Sequence, residues 1–281
     1  MRVLVTGSTG FTGRHLIKKL EENQVIYMVL QSDLLCRKTL EIEIRKFNPT
    51  HVCHLAGISF ADYSDVNNYY NVNLLGTINL LEILCLLEYP DLRVIIASSA
   101  AIYGNSNEGK LDEKTVPEPH NHYSMSKNLV EKCSALYSSK LDIVIVRPFN
   151  YTGLGHDSRF LIPKIIDHFK RYSSEIELGN IEVYREFGDV RDVVEYYYQL
   201  LLIPRGERIF NICTGNMYKI KDILCICEEL TGHVISVKTN NALIRGNEPK
   251  VLVGDPSKLI KYTTYMPRYN IEDTIRWMLK N

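Results

Sequence analysis

Short apolar runs rich in β-branched residues alternate with longer segments of helical periodicity over the first two thirds of the chain. The runs show little alternation of apolar and polar positions, which is typical of strands buried on both faces of a parallel sheet. Strands separated by amphipathic helices predict a doubly wound sheet with right-handed crossovers. The predicted strands are Val3–Val5, Val25–Leu30, His51–His54, Val94–Ala97, Ile143–Val146 and Arg208–Cys213, and the predicted helices lie near 12–22, 36–47, 67–88, 121–139 and 190–202.

The character of the sequence changes after residue 150, where Tyr, Arg and turn residues become more frequent and the helical segments become shorter. We therefore predict an α/β fold in two parts. A Rossmann-type doubly wound parallel sheet is expected in 1–150 plus 189–214, and a smaller, loop-rich C-terminal substrate lobe in 151–188 plus 215–281. Ligands of such sheets bind beyond the carboxyl ends of the strands, so candidate site residues are sought there.

The segment 67–88 is apolar almost all round its predicted helix. A helix of this kind is buried on more than one side. Two interpretations stay open: a helix inside the core of one chain, or a helix whose second apolar face packs on a partner chain.

Composition and charge argue against several classes of protein. Lys plus Arg and Asp plus Glu balance at 33 each, so no overall charge attracts nucleic acid or an acidic membrane surface. Seven scattered cysteines without a C-x-x-C pair indicate reduced thiols in a cytoplasmic protein, and the histidines lack the spacing of metal ligands. The sequence opens directly into a predicted strand, so we expect no signal peptide. No apolar run reaches about 18 residues, so we expect no membrane span.

The first predicted turn has the sequence VTGSTGFTG, in which Gly7, Gly10 and Gly13 follow a strand and open a helix. Glycines here let the backbone turn sharply and approach a pyrophosphate, whose charge the free N–H groups of the helix start stabilise. A glycine-rich turn without a ligand is the alternative. Asp33 lies 20 residues after Gly13, roughly the spacing at which an acid often binds the adenosine ribose. It also suits the N-cap of the following helix.

A second candidate constellation combines Ser99 at a strand end with Tyr123 and Lys127 in the segment HNHYSMSKNLVEK. Positions i and i+4 share a helix face, which places the ammonium beside the phenol. A free phenol has a pKa of about 10. A nearby ammonium, together with the positive nicotinamide of an oxidised dinucleotide, favours the phenolate, so we expect a lowered pKa for Tyr123. By itself this spacing is a weak signal, since an ordinary surface helix and a structural strand-end serine also account for it.

Taken together, these motifs resemble the nucleotide-sugar branch of the extended short-chain dehydrogenase/reductase family. The resemblance covers essentially the whole chain and implies an NAD(P)-dependent oxidoreductase. It also implies a homodimer in which the helices around 67–88 and 121–139 form a four-helix bundle. The matching residues are Thr6 to Gly13, His54-Leu55-Ala56-Gly57, Ser98-Ser99 with Ile102-Tyr103-Gly104, Tyr123-x-x-Ser126-Lys127, Arg147-Pro148-Phe149-Asn150, and Arg185-Glu186-Phe187 with Asp189-Val190.

The resemblance assigns roles residue by residue. It implies that Ser99, Tyr123 and Lys127 are catalytic. The cofactor, NADPH or NADH, is expected to contact Gly7, Thr9, Gly10, Phe11, Thr12, Gly13, Asp33, Leu34, Leu55, Ala56, Gly57, Tyr123 and Lys127. The substrate is expected to contact Ser59, Ser99, Asn150, Arg185, Arg245 and Glu248, and no metal is implied.

Two further stretches distinguish reactions within the family. Dehydratases of the family carry an acidic residue, often an Asp-Glu pair, where this chain has Ala100 and Ala101, so dehydration is not expected. The stretch LIRGNEPKVLVGDPSKL resembles a segment of GDP-mannose 4,6-dehydratases and GDP-6-deoxy-D-mannose reductases, although it lacks the proline of that segment. In it, Arg245 suits a diphosphate and Glu248 suits ribose hydroxyls, with a solvated lobe surface as the alternative.

The resemblance therefore implies an NAD(P)H-dependent reductase of a nucleoside-diphosphate-4-keto-6-deoxyhexose, most directly a GDP-linked one made for surface polysaccharide. A nucleotide-sugar 4-epimerase with tightly bound NAD and a non-catalytic nucleotide-sensing protein are the alternatives. The cofactor choice also stays open. Asp33 at the end of the second strand favours NADH, whereas Arg37 or Lys38 favours NADPH if Asp33-Leu34 contacts the adenine.

Overall fold

In a computed structural model of the chain, residues 1–59, 65–87, 89, 92–105, 107, 109–206, 208–243 and 251–281 are described. The strands are β1 Arg2–Thr6, β2 Ile26–Val29, β3 His51–His54, β4 Arg93–Ala97, β5 Gly109–Leu111, β6 Asp142–Pro148, β7 Tyr151–Thr152, β8 Glu175–Leu178, β9 Tyr184–Arg185, β10 Gly188–Asp189, β11 Ile209–Ile212, β12 Tyr218–Lys219, β13 Ser236–Thr239 and β14 Val251–Gly254. The α-helices are α1 Phe11–Glu22, α2 Arg37–Phe47, α3 Val66–Asn68, α4 Gly76–Cys85, α5 His122–Ser134, α6 Leu161–Lys170, α7 Val190–Leu202, α8 Ile220–Thr231, α9 Ser257–Thr263 and α10 Ile271–Lys280. A π-helical segment, Tyr69–Leu75, joins α3 to α4, and short 3-10 helices span Ala100–Tyr103, Ala135–Tyr137 and Asn241–Leu243.

A six-stranded parallel sheet carries the site, with its strands in the spatial order β11, β6, β4, β3, β1, β2. Successive residues of a strand point to opposite faces. Accordingly, Val3 and Val5 lie in a core shared with α1 and α7, whereas Leu4 lies in a core shared with α2, α4 and α5. Both faces of the sheet are buried, which explains the unbroken apolar runs of its strands. The predicted doubly wound α/β fold is confirmed.

The segment predicted as one helix over 67–88 differs from that prediction in form. It begins as α3, widens into the π-helical segment Tyr69–Leu75 and continues as α4. Within the π-helical segment, Asn73 is only 1 % exposed, and the Thr77 hydroxyl donates to the Asn73 carbonyl at 2.5 Å. π-Helical turns are rare and are often found at functional sites. Apolar periodicity does not reveal this change of helix type.

The C-terminal part has a core of its own, built from α6, α8 and α10 with strands β8 and β13. A four-stranded sheet in the order β12, β9, β14, β5 lies in the same part of the protein. One of its strands, β5, comes from residues 109–111, well before the change in sequence character at residue 150. The division into 1–150 plus 189–214 and 151–188 plus 215–281 stays a prediction.

Within the part of the chain that the structure describes, no helix combines the length and the apolar character needed to span a bilayer.

Candidate active site

The glycine turn after β1 packs directly on the chain that follows β3. Gly7 has a φ of +71°, and a Cβ there would lie 2.6 Å from the Ala56 nitrogen. A Cβ on Gly13 would lie 2.2 Å from the Gly7 carbonyl oxygen, so α1 approaches the turn too closely for any side chain. Glycine alone permits both approaches. They place the start of α1 at the carboxyl ends of β1 and β3.

The start of α1 offers backbone N–H groups to an anion. Its N-cap is Gly10, which supplies no side-chain cap, and no acidic residue occupies its first turn. The N-terminus of a helix carries partial positive charge and is a ready binding site for phosphate. The turn therefore fits the pyrophosphate of a dinucleotide. All six predicted cofactor residues of this region lie along it, namely Gly7, Thr9, Gly10, Phe11, Thr12 and Gly13.

A buried hydrogen-bonded chain holds the neighbouring strand ends together. The Thr6 hydroxyl accepts from the Ala56 nitrogen at 3.1 Å and lies 2.7 Å from His54 Nδ1. The other ring nitrogen of His54 lies 2.8 Å from the Thr77 hydroxyl. Burial lowers the pKa of His54 to about 3, so the ring stays neutral. The chain fixes the predicted cofactor residues 55–57 next to the glycine turn.

Asp33 and Leu34 follow β2 and behave differently from each other. Asp33 is exposed, and its carboxylate accepts from the Leu35 nitrogen at 2.9 Å. The N-cap of α2 is Cys36, so the interpretation of Asp33 as that N-cap is wrong. Leu34 is buried in the core beneath α4 and packs close to Gly76. Contacts of both residues with an adenosine stay a prediction.

Ser99 lies just beyond β4 and caps the 3-10 helix Ala100–Tyr103. Its hydroxyl oxygen accepts from the Ala101 nitrogen at 3.1 Å. Ser99 also acts on the phenol of Tyr123 on α5, whose pKa it lowers against the effect of burial. The cap holds the hydroxyl at the carboxyl end of the sheet, next to the predicted proton donor.

The start of α5 is fixed by a capping box. The Asn121 side chain accepts from the Ser124 nitrogen at 2.8 Å, and the Ser124 hydroxyl accepts from the Asn121 nitrogen. Tyr123 and Lys127 are both buried on the face that this cap orients toward the sheet. The Lys127 ammonium donates to the Ala97 carbonyl at 2.8 Å. The structure thus brings the predicted hydroxyl, phenol and ammonium together.

Burial controls the proton affinities of the two α5 residues. It raises the pKa of Tyr123 to about 12, against an opposing hydrogen bond with Ser99. It lowers the pKa of Lys127 to about 8, against the opposing charge of Glu131. Burial dominates the pKa of this phenol in the protein alone, and the ammonium is directed at a backbone carbonyl. The lowering expected beside an oxidised nicotinamide stays a prediction. A protonated phenol suits a proton donor.

Asn73 is a site residue that sequence reasoning missed. Its side-chain oxygen accepts from the Ile58 nitrogen at 2.8 Å, and its amide donates to the Ser126 hydroxyl at 3.0 Å. A Cβ on Gly57 would lie 2.9 Å from that oxygen and 3.2 Å from Lys127 Nζ. Asn73 therefore joins the loop after β3 to α5. No feature of the sequence singles it out, because Asn73 is one of five asparagines in the segment 67–88.

The loop after β7 is attached to the cofactor turn. The Tyr151 and Thr12 hydroxyls are 2.6 Å apart, and the Phe11 ring stacks on His156 at 4.3 Å between centroids. Burial lowers the pKa of His156 to about 4, so this ring is neutral in the stack. These contacts place the start of the C-terminal part beside the N-terminus of α1.

The predicted substrate residues are dispersed around this edge of the sheet. Ser59 is exposed after β3, and Asn150 is exposed between β6 and β7. Arg185 on β9 is 8 % exposed, and its guanidinium donates to the Tyr184 carbonyl at 2.7 Å. The two residues of the nucleotide-binding stretch, Arg245 and Glu248, lie outside the described residues. The substrate roles of all these residues stay a prediction.

Comparison with known proteins identifies the family. The sequence model of the GDP-mannose 4,6 dehydratase family matches residues 19–278. The chain belongs to this family. The predicted membership of the nucleotide-sugar dehydrogenase/reductase group is thereby confirmed.

Two curated relatives of this GDP-mannose 4,6-dehydratase family member cover nearly all of it. GDP-6-deoxy-D-talose 4-dehydrogenase from Aggregatibacter actinomycetemcomitans is 35% identical over 92% of this chain and 90% of its own length. GDP-6-deoxy-D-mannose reductase from Pseudomonas aeruginosa is 28% identical over 100% of this chain and 96% of its own length.

Two solved structures superpose on this family member over almost its whole length. A putative epimerase from Burkholderia cenocepacia gives a TM-score of 0.93 at 36% identity, covering 99% of this chain and 97% of that one. RMD from Pseudomonas aeruginosa, complexed with NADPH, gives a TM-score of 0.91 at 27% identity, covering 99% of this chain and 96% of that one.

This family member lacks the acidic residues that dehydration, the reaction in the family's name, requires. The positions after Ser99, where dehydratases place an acid, are Ala100, which is buried, and Ala101, which is half-buried. A methyl group neither donates nor accepts a proton, so these positions cannot supply acid–base catalysis of water loss.

Proposed function

We propose that the protein is an NAD(P)H-dependent reductase that acts on the 4-keto group of a GDP-linked 4-keto-6-deoxyhexose. The observation that carries the proposal is the half-buried Ser99 with the buried Tyr123 and Lys127 beside a glycine turn, with alanines at positions 100 and 101. The names of the two curated relatives support the same type of reaction on the same class of sugar.

The chain's own groups have distinct tasks in this reaction. When bound, the reduced nicotinamide cofactor supplies the hydride for the sugar C4. The Ser99 hydroxyl holds the C4 oxygen, and the Tyr123 phenol, protonated at neutral pH, donates the proton that this oxygen takes up. Lys127 holds its ammonium between the carboxyl end of β4 and the loop after β3.

The names of the relatives narrow the substrate to one 4-keto sugar. Talose and mannose differ only in the configuration at C4, and a 4-keto group removes that difference. GDP-6-deoxytalose and GDP-6-deoxymannose, each oxidised at C4, are therefore the same compound, GDP-4-keto-6-deoxymannose. The higher identity to the 6-deoxytalose enzyme favours the D-talo product.

An epimerase that keeps NAD bound is the second candidate, favoured by the structural similarity to a putative epimerase. The two candidates differ in what happens to the cofactor. A reductase releases oxidised cofactor in every cycle, whereas a 4-epimerase uses the same bound NAD in both half-reactions and consumes none. A non-catalytic nucleotide sensor has no need for the intact Ser99, Tyr123 and Lys127.

The deciding assay supplies GDP-4-keto-6-deoxymannose, made in situ by a dehydratase, and follows the absorbance of NADH or NADPH. We expect one reduced cofactor consumed per sugar converted, and a purified protein largely free of NAD. The configuration of the product at C4 is then read by NMR. Parallel reactions with dTDP- and UDP-linked 4-keto sugars test the predicted GDP preference of Arg245 and Glu248.

The opposite result is equally clear. If no 4-keto sugar oxidises either cofactor, while a UDP-hexose is converted into its C4 epimer by protein that carries NAD, the reductase proposal is wrong. Absence of both reactions favours the nucleotide sensor.

We further propose a homodimer formed through α4 and α5. Large apolar side chains on and next to these helices are solvent-exposed in the single chain, with Leu75 at 47% and Leu136 at 79%. A two-fold interface would cover the same face on both copies. We expect sedimentation at micromolar concentration to give twice the 32.4 kDa chain mass.

Paired substitutions locate this interface. Leu75→Arg should give a monomer, because it places a charge in the covered face. Ile42→Arg, at another exposed apolar position, on α2, should leave the dimer intact. A monomeric wild type, or a monomer produced equally by both variants, would contradict the proposed interface.

The cytoplasm is the proposed location. All seven cysteines are free thiols, as expected in a reducing compartment.

A further inference from the structure

The loop after β2 is held by one side chain of α2, that of Glu43. Its Oε1 accepts from the Gln31 nitrogen at 2.9 Å. Its Oε2 accepts from the Ser32 nitrogen at 2.8 Å and from the Ser32 hydroxyl at 2.6 Å. A single carboxylate thus accepts from the backbone N–H groups of two consecutive loop residues, Gln31 and Ser32.

This loop lies where a dinucleotide places its adenosine ribose. Strands β1 and β2 are parallel neighbours with Val5 opposite Val29, and the Leu30 nitrogen donates to the Val5 carbonyl at 2.9 Å. Gln31 and Ser32 therefore leave the sheet beside the glycine turn that follows β1. In sheets of this type, the residues at the end of the second strand contact the 2′ position of the ribose.

The charge at this place is negative. Although partial burial raises it, hydrogen bonds from Ser32 and Gln31 bring the pKa of Glu43 below its ordinary value. The carboxylate is consequently ionised at neutral pH. Four sites on a carboxylate accept hydrogen bonds, and three of those on Glu43 are occupied, so one acceptor site is left for a hydroxyl.

Two arginines of this region have partners of their own. Arg37, a predicted partner of a 2′-phosphate, pairs with Glu82. Arg14 donates to the carbonyls of Thr9 and Gly155 at 3.0 and 2.8 Å. Lys38, the other predicted partner, is an exposed residue in the first turn of α2. The glycine turn itself has no basic residue between Gly7 and Gly13.

We propose that Glu43 makes this site select NADH over NADPH, an inference that rests on the proposed reductase function. The 2′-hydroxyl of NADH can donate to the remaining acceptor site of Glu43. The 2′-phosphate of NADPH brings a charge of about −1.5 to −2 and only acceptor oxygens to a carboxylate that already occupies both loop N–H groups. Like charges and missing donors therefore both oppose NADPH.

Cofactor binding measured by calorimetry on the purified protein, without sugar substrate, tests the proposal apart from catalysis. We expect the wild type to bind NADH at least about tenfold more tightly than NADPH, about 1.4 kcal/mol. Glu43→Gln removes the charge while keeping one acceptor oxygen, so NADPH binding should tighten about tenfold and NADH binding should change less than about threefold.

Glu41→Gln is the matched control, because it removes the same charge from the same helix at a residue paired with Arg45. It should leave the preference unchanged. A wild type that binds NADPH more tightly overturns the inference and leaves the reductase proposal standing. The same conclusion follows if NADPH affinity rises equally in Glu43→Gln and Glu41→Gln, or if Lys38→Ala selectively loses NADPH binding. If neither dinucleotide binds the wild type, the proposed function fails, and the inference with it. If Glu43→Gln does not fold, the wild-type preference alone decides.

Discussion

Replacing Tyr123 with Phe is expected to lower kcat by roughly a thousandfold while changing the cofactor Kd by less than about twofold. The substitution removes one hydroxyl from a buried ring and keeps the volume that packs near Tyr69, at 6.2 Å between ring centroids. The fold and the cofactor turn should therefore be undisturbed. What is lost is the proton donor next to Ser99, and general acid catalysis typically contributes about 10² to 10⁴ in rate.

Tyr137→Phe makes the same chemical change a few residues after α5, and it should leave kcat near the wild-type value. The comparison requires steady-state kinetics with the GDP-linked 4-keto sugar, together with cofactor binding by calorimetry. A Tyr123→Phe rate within about tenfold of the wild type would sink the assignment of this phenol as the proton donor.

The part of the fold that sequence reasoning captured depends on local, repeating signals. Strands buried on both faces and helices with one apolar face leave periodic patterns, and the glycine turn has to be glycine because Gly7 and Gly13 leave no room for a Cβ. The proximity of Tyr123 and Lys127 follows from helix geometry alone. These features depend on neighbours close in sequence, which one sequence displays.

The features that were missed depend on contacts between distant segments. Asn73 meets Ile58 and Ser126 only because the π-helical segment, the loop after β3 and helix α5 converge. Similarly, the proposed role of Glu43 in cofactor selection depends on its contacts with the loop after β2. The sequence of its own helix indicates only an ordinary amphipathic surface helix. Burial, which dominates the pKa of Tyr123 in the protein alone, is likewise a property of the folded chain.

Lys127→Met has the second largest expected effect, and it should impair both binding and catalysis. Methionine keeps most of the buried volume and removes the ammonium that donates to the Ala97 carbonyl. A Cβ added to Gly57, a predicted cofactor contact, would lie 3.2 Å from Lys127 Nζ. We expect kcat to fall about a hundredfold, about 2.7 kcal/mol, and the cofactor Kd to rise about tenfold.

The pH dependence of cofactor binding tests this role of the Lys127 ammonium. Because burial lowers the pKa of Lys127 to about 8, the ammonium is present below that pH and is lost as the pH rises through it. Cofactor affinity in the wild type should therefore weaken above about pH 8, whereas Lys127→Met should show no such step. Lys132→Met, at an exposed lysine of the same helix, should retain the wild-type pH profile. A step that persists in Lys127→Met would show that another group titrates, and unchanged kcat and Kd in that variant would remove Lys127 from the active site.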